Sequence, residues 1–319
     1  MIYTVSLNDV NAPASISDAL ALMSEGDELH IGSGTYYECL TFNIPKIRVV
    51  GDDPKTTIIS FDNYANMLME DGSRRGTFRS YTAMVDTSDI TFENLTFANT
   101  SGDGRAVGQA LAMYAEGHKI HFKNCRFLGH QDTLFTGPLP NESVHNGGFT
   151  GPKEFSPRIN GLQWYENCYI EGDVDFIFGC ATAVFTDCTV CSLSRNMEPN
   201  GYVSAPSTPE GQRYGYVFAD CKFVNRGCTE NSVYISRPWR EWARQVLIDC
   251  EFGDHIKEEG YHDWNKPGAH VNTYYAEYPA AKSRVQWSKT LGVEEKREYD
   301  ELLFRIKNDW DADTFADIR

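Results

Sequence analysis

Two aspartates occupy equivalent positions in a pattern that recurs along this 319-residue chain. Asp132 lies seven residues after Cys125, and Asp175 lies seven residues after Cys168. If the repeated units stack as coils of equal shape, the two backbones lie one strand spacing apart, roughly 4.8 Å. Two carboxylates at that separation raise the pKa of one of them, which suits a nucleophile or base beside a proton-bearing acid. Spacing alone leaves open a structural pair of solvated aspartates.

The neighbouring residue types favour chemistry over a structural pair. Gln131 comes directly before the first aspartate, and Gln109 lies one coil earlier. Both amides can donate hydrogen bonds to a developing oxyanion beside an anionic nucleophile. Arg237 can hold a carboxylate ionised and oriented. Arg195 competes for this role, because it lies seven residues after Cys188.

Apolar and aromatic residues accompany the second aspartate and the arginine. Hydrophobic side chains flank Asp175, which predicts partial burial of its carboxylate. Trp239 follows Arg237 by two positions and can stack on a sugar ring. The other aromatic residues of the repeats are expected in the core.

The elements that must position these residues follow from the repeat itself. Six segments share the pattern apolar–x–Asn/Asp–Cys or Leu–x–apolar, and their composition favours strands. Asn or Asp before the small apolar residue suits a sharp turn. The irregular spacing predicts a solenoid with variable loops, an all-β, single-stranded parallel β-helix, rather than a β-sandwich. The segments begin at Phe92, Phe122, Tyr165, Phe185, Phe218 and Leu247.

Five of the nine cysteines occupy one position of this pattern. In stacked coils they form an interior ladder, headed by Leu95, and we expect all nine to be reduced thiols. A lone CxxC at Cys188 and Cys191 has no second ligand pair, so no zinc site is predicted. The ladder cysteines are Cys125, Cys168, Cys188, Cys221 and Cys250.

The ends of a solenoid need covers, and short helices can supply them. Ser15–Met23 has the pattern of a short amphipathic helix that caps the first coil, and 294–310 is helical and charged. We predict one domain over 1–319, with the cap and coils over about 15–290 and a helical tail over about 291–319.

Charge and composition exclude several functions. With 45 acidic against 29 basic residues, the net charge of −16 opposes binding to nucleic acid and does not favour anionic membranes. The chain starts with no basic segment followed by an apolar one, so we expect a cytoplasmic location, or secretion if a leader was removed. A monomer is expected.

Four ordered segments resemble the signature motifs of the pectin methylesterases, and the resemblance covers about 15–290. This resemblance implies a right-handed parallel β-helix, which agrees with the repeat. It implies no metal or organic cofactor. The segments are Gly108-Gln-Ala-Leu-Ala112, Gln131-Asp-Thr-Leu134, Asp173-Val-Asp-Phe-Ile-Phe-Gly179 and Arg237-Pro-Trp239.

The resemblance also implies residue roles in the hydrolysis of methylated polygalacturonate or its oligomers. Asp175 would attack the C6 methyl-ester carbonyl. Asp132 would protonate the departing methanol and then activate water. The two glutamines would stabilise the oxyanion, and Arg237 would hydrogen-bond Asp175. Residues implied to contact substrate are Trp239, Thr77, Gln109, Arg237, Phe178 and Val174.

Two departures from the family pattern bear on substrate length rather than on reaction type. Ser236 stands where the family usually has glycine before Arg-Pro-Trp. The stretch Gly137–Gly161 is a long insertion that should wall the cleft. Alternatives are a pectate lyase or polygalacturonase on the same fold, or an inactive pectin-binding β-helix. A lyase would need calcium-binding carboxylates, and a polygalacturonase more aspartates in one cleft.

Overall fold

The computed structural model describes residues 1–7, 12–266, 268–281, 283–311, 315 and 318. The chain winds in successive coils, and a full coil adds one strand to each of three sheets. Neighbouring strands pair in parallel, coil on coil. The predicted right-handed parallel β-helix is confirmed.

Sheet 1 is the longest and carries the first apolar residue of each repeat on its core face. Phe122 pairs with Tyr165, and Tyr165 with Phe185. Stacked rings along this row lie 4.4 to 5.1 Å apart between centroids. The strands of sheet 1 are β1 (Ile2–Val5), β2 (Glu28–Ile31), β5 (Arg48–Gly51), β8 (Ile90–Glu93), β11 (Ile120–Lys123), β14 (Leu162–Glu166), β17 (Thr182–Thr186), β20 (Tyr216–Ala219), β23 (Arg244–Ile248), β25 (Tyr274–Tyr278) and β26 (Lys289–Thr290).

Sheet 2 carries the second apolar residue of each repeat. Phe127 pairs with Phe97 on one side and with Ile170 on the other, and all three are buried. The strands of sheet 2 are β3 (Gly34–Tyr37), β6 (Thr57–Phe61), β9 (Thr96–Asn99), β12 (Arg126–Leu128), β15 (Tyr169–Gly172), β18 (Thr189–Leu193), β21 (Lys222–Arg226) and β24 (Glu251–Phe252).

Sheet 3 positions the candidate site residues, which lie in its strands or next to their ends. Each strand of sheet 3 follows a strand of sheet 2 in the chain. The loops before and after the strands of sheet 3 can therefore surround one face of that sheet. The strands of sheet 3 are β4 (Leu40–Phe42), β7 (Ala83–Asp86), β10 (Met113–Glu116), β13 (Leu134–Thr136), β16 (Val174–Gly179), β19 (Gly201–Pro206) and β22 (Val233–Ser236).

The repeated cysteines form the predicted ladder between sheets 1 and 2. Four of the five are buried, Cys250 is partly exposed, and all nine cysteines of the chain are free thiols. Each ladder thiol donates to a backbone carbonyl of the coil before it, as Cys168 Sγ does to the Phe122 oxygen at 3.3 Å. Leu95 heads the row and is fully buried.

The Asn or Asp before each ladder residue turns the chain from sheet 1 to sheet 2. These six residues have φ between 50° and 57°, the left-handed region. Asn and Asp enter this region more readily than other side chains do. The repeated Asn/Asp is therefore a requirement of the turn, as the sequence indicates.

This requirement predicts the effect of a β-branched residue at the turn. Asp220 has φ 55° and an exposed side chain. Asp220→Val should lower the free energy of unfolding by about 1–2 kcal/mol, because a β-branched residue is strained in this conformation. Asp220→Gly, the matched control, should stay within about 0.5 kcal/mol of wild type in urea unfolding. Equal stability of the two variants would contradict the role of the turn.

Two of the helices match the predicted ones. One covers the first coil, and the other lies along the side of the coils. In α1 (Ile16–Leu20), Ile16 and Ala19 are buried in the core of the first coil, so this helix covers that end. In α4 (Val293–Asp309), the buried face packs on the outer face of sheet 1. The tail helix therefore lies along the side of the solenoid, because sheet 1 has outward apolar residues there: Trp164, Val184, Val217, Val246 and Ala276.

Three short segments complete the secondary structure of the described residues: α2 (Gly104–Val107), α3 (Ala269–Asn272) and a 3-10 turn at Thr77–Arg79. Within the described residues, no helix has the length and apolar character needed to cross a membrane. The packing of α1 and α4 on the coils agrees with a single domain over 1–319, which stays a prediction.

Candidate active site

The two aspartates of the repeat lie side by side at the start of neighbouring strands in sheet 3. Leu134 of β13 pairs with Ile177 of β16, and the same register places Asp132 beside Asp175. The Asp132 amide donates to the Val174 carbonyl oxygen at 3.0 Å. The register predicted from the cysteine repeat is confirmed.

Both aspartates leave the regular strand conformation. Their φ angles are 63° at Asp132 and 48° at Asp175, and the pairing of β16 with β19 shifts register just after Val174. Such irregularities change the direction in which side chains point. Only 8% of Asp132 and 7% of Asp175 is exposed, and both line one cavity.

Arg237 holds Asp175 through two parallel hydrogen bonds. Its Nε donates to Asp175 Oδ1 at 2.8 Å, and its Nη2 donates to Oδ2 at 2.7 Å. The guanidinium lies 3.7 Å from the ring centre of Tyr202 and 3.8 Å from that of Trp264. Arg195, the competing candidate, instead donates to the Asn200 carbonyl oxygen at 3.1 Å.

Burial and charge assign different protonation states to the two carboxyls. Burial raises the pKa of Asp132 well above its usual range, and the Asp175 charge raises it further. Burial also raises the pKa of Asp175, but the Arg237 guanidinium opposes that shift. The proton of the pair therefore belongs on Asp132, and Asp175 is the ionised partner.

Both candidate glutamines line the same cavity as the aspartates. The backbone carbonyl of Gln131 accepts from the Ala110 amide at 3.1 Å, and the backbone carbonyl of Gln109 accepts from the Ala65 amide at 2.8 Å. Gln131 also lies against Gly104, where a Cβ would approach its side chain to 2.7 Å. Neutral amides held beside an ionised carboxylate can donate to an oxyanion.

The cavity has a volume of about 700 Å³ and one largely aromatic wall. The Phe78 and Trp239 rings stack at 6.5 Å, and Phe149 and Phe178 meet Trp239 edge-on at 6.3 and 5.6 Å. A wall of this kind suits the apolar face of a sugar ring.

Of the residues implied to contact substrate, most line this cavity and one does not. Thr77, Phe178 and Trp239 line it together with Gln109 and Arg237. Val174 is buried beside Asp175 and lies outside the lining.

The insertion reaches the cavity as predicted. Five of its residues line the cavity, and Phe149 packs against Phe78 at 5.8 Å between ring centroids. Ser236 is buried, and its hydroxyl donates to the Ser204 carbonyl oxygen at 3.2 Å. The serine is therefore accommodated with its polar group satisfied. The lining residues from the insertion are Ser143, Val144, His145, Gly148 and Phe149.

Several residues in or next to the cavity were missed from the sequence. Tyr202 and Trp264 enclose the guanidinium of Arg237, and Arg240 and Lys266 add two cations to the wall. Trp264 and Lys266 belong to a loop outside the repeat, so no register relates them to the aspartates. Arg240 directly follows the Arg-Pro-Trp motif, a signal that could have marked it.

Comparison with known proteins matches most of the chain to the family that its sequence motifs resemble. A family model described as Pectinesterase matches residues 3–139 and 158–303. The unmatched stretch lies inside the Gly137–Gly161 insertion. Pectinesterase 31 of Arabidopsis thaliana is 29% identical over 296 residues, which cover 87% of this chain and 83% of the relative.

Solved structures share the fold. A pectin methylesterase from carrot has a TM-score of 0.73 and 26% identity, covering 92% of this chain and 89% of its own. A pectin methylesterase in complex with a hexasaccharide has a TM-score of 0.75 at 23% identity, with coverage of 94% and 95%. Because the family model spans well over half of the sequence, the chain belongs to the pectinesterase family.

Proposed function

We propose that this protein hydrolyses the C6 methyl esters of galacturonan, releasing methanol and a free carboxylate. The observation that carries the proposal is a pair of adjacent buried aspartates, of which Asp175 is bound by Arg237 in bidentate geometry. Burial and the Asp175 charge raise the pKa of Asp132, which favours its protonated form. This arrangement supports Asp175 as the nucleophile and Asp132 as the general acid, one strand apart in the same cavity.

The first half of the reaction forms an acyl-enzyme. An Asp175 oxygen attacks the ester carbonyl, and the electron pair moves onto the carbonyl oxygen. The side-chain amides of Gln109 and Gln131 donate to this oxyanion. The tetrahedral intermediate collapses by breaking the bond to the methoxy oxygen, which takes the proton of Asp132 and leaves as methanol.

The second half restores the enzyme. Asp132, now a carboxylate, removes a proton from water as the water oxygen attacks the sugar carbonyl of the anhydride. The bond to Asp175 breaks, Asp175 leaves as a carboxylate held by Arg237, and galacturonate is the product. One carboxyl thus acts as acid and then as base.

The relatives support this substrate class. Pectinesterase 31 is named for the reaction, and one structural neighbour was solved with a hexasaccharide. Residues of the insertion and of the aromatic wall line a cavity of about 700 Å³. Oligomers or polymers of methylated galacturonate are therefore the proposed substrates.

A single assay on methylated polygalacturonate separates this function from its alternatives. We expect methanol release without new reducing ends and without unsaturated sugars. New reducing ends would indicate a polygalacturonase, and unsaturated products would indicate a lyase. Absence of all three products would favour a binding protein and contradict the proposal.

A further inference from the structure

A histidine and an aspartate form an ion pair just before the two proposed catalytic aspartates. His130 Nδ1 lies 3.1 Å from Asp173 Oδ2. His130 precedes Asp132 by two residues in the sequence. In the same way, Asp173 precedes Asp175 by two. Neither member of the pair is part of the cavity lining, so any effect on the reaction reaches it through other residues.

Backbone hydrogen bonds join the same two segments. The Asp173 amide donates to the His130 carbonyl oxygen at 3.1 Å. One step further along, the Asp132 amide donates to the Val174 carbonyl oxygen at 3.0 Å. The side-chain pair and these two hydrogen bonds together connect the coil that carries Asp132 to the coil that carries Asp175.

Asp173 is buried, and His130 supplies its cation. Only 2% of the Asp173 side chain is exposed, against 35% of the His130 side chain. Asp173 Oδ1 is buried without a hydrogen-bond partner among the residues that the structure describes. Within those residues, Asp173 forms an ion pair with His130 alone. Loss of the histidine would leave an uncompensated buried charge, which is strongly unfavourable.

The other charged groups around the pair have partners of their own. Arg105 forms an ion pair with Asp103, and Arg226 pairs with Glu171 at 3.2 Å. Burial raises the pKa of the Cys228 thiol to about 11, so this thiol is neutral near pH 7. The charged and titratable groups that face the pair from neighbouring elements are Asp103, Arg105, Glu171 and Cys228.

The charge of Asp173 acts on both the histidine and the proposed general acid. The hydrogen bond with Asp173 raises the pKa of His130 above its usual value, against the effect of burial. Asp173 also adds to the effects of burial and of Asp175, which raise the pKa of Asp132. The pair therefore has both a mechanical and an electrostatic connection to Asp132.

We propose that His130 and Asp173 are positioning residues, which hold the segment of Gln131 and Asp132 against the coil that carries Asp175. The inference rests on the proposed function and adds two residues to it. Removal of the Asp173 carboxylate would leave only backbone hydrogen bonds between the two segments. It would also take one negative charge away from Asp132.

The first test is a double-mutant cycle of D173N, H130Q and H130Q/D173N, with methanol release from methylated polygalacturonate measured at pH 6. Each single variant should lower kcat about tenfold and keep KM within about twofold of wild type, because a displaced general acid affects the chemical step more than binding. The double variant should show no further loss, since both changes break one contact. A loss of about a hundredfold in the double variant, or unchanged kcat in both single variants, overturns the inference.

A matched control is E166Q, which removes the carboxylate of another histidine pair between neighbouring coils. His121 Nε2 lies 3.1 Å from Glu166 Oε2 on sheet 1, and neither residue belongs to the cavity lining. The kcat and the pH profile of E166Q should equal those of wild type. A tenfold loss in this control would mean that any such pair supports activity through stability alone, against the inference.

The pH profile separates positioning from a merely structural role. In D173N the alkaline limb of activity should move to lower pH by about half a unit, because loss of the Asp173 charge lowers the pKa of Asp132. The double variant H130Q/D173N should show the same shift. A limb that stays in place in D173N contradicts the electrostatic connection to Asp132.

Titration of the His130 ring by NMR tests the pair without reference to activity. The ring signal is the one that H130Q lacks. Its pKa should exceed the ordinary value of about 6.5 in wild type and fall by about one unit in D173N. A wild-type ring pKa at or below 6.5 overturns the inference. Release of no methanol by the wild type would instead contradict the proposed function.

Discussion

Asp175→Asn is expected to lower kcat for methanol release by at least about 10⁴-fold, the scale seen when a covalent nucleophile is removed. The amide cannot form the acyl-enzyme, although it keeps the size of the aspartate. It also leaves the buried guanidinium of Arg237 without its anion, so we expect a lower free energy of unfolding. The measurements are methanol release and urea unfolding on the same preparation.

The control for this variant is Asp220→Asn, an equal change of charge at an exposed turn outside the cavity lining. It should retain wild-type turnover. Folded Asp175→Asn with more than about a hundredth of wild-type kcat would contradict the assignment of the nucleophile.

Asp132→Asn should lower kcat by about 10²–10⁴-fold, the usual contribution of a general acid and base. Folding should be little affected, because the amide resembles the protonated carboxyl that burial and Asp175 favour at this position. The pH profile of activity tests the role of Asp132. Wild-type activity should fall as pH rises through the raised pKa of Asp132, because only the protonated form can donate to methanol.

In Asp132→Asn that alkaline limb should disappear, since asparagine does not titrate. An activated ester whose leaving group needs no proton provides the second readout. Asp132→Asn should release a burst of about one leaving group per enzyme from such an ester, and Asp175→Asn should release none. A burst from Asp175→Asn would contradict its role as the nucleophile. An intact alkaline limb in Asp132→Asn would contradict its role as the general acid.

Much of the fold could be predicted because the repeated sequence pattern indicates which segments stack on one another. In a parallel β-helix the same residue type recurs at the same place in each coil, so Cys125 and Cys168 identify neighbouring coils directly. Counting forward from them locates Asp132 beside Asp175 without knowledge of any long-range contact. Local turn chemistry adds the left-handed Asn and Asp that join sheets 1 and 2.

The sequence did not predict the contacts between loops or the place of the tail helix. Arg195 and Arg237 were both reasonable partners for Asp175. The structure separates them, because Arg237 lies between Tyr202 and Trp264 and pairs with Asp175, whereas Arg195 donates to the Asn200 carbonyl oxygen. The tail helix α4 was predicted as an element, but its place on the outer face of sheet 1 depends on apolar residues from several coils.

The sequence by itself determined the coil register, the ladder of thiols and the pair of aspartates, because each depends on a spacing that is short along the chain and repeated. The tertiary structure decided which arginine neutralises Asp175, that burial and a neighbouring charge raise the pKa of Asp132, and that Arg240 and Lys266 meet beside Trp239. Those outcomes depend on burial and on loops far apart in sequence, whose approach no local pattern encodes.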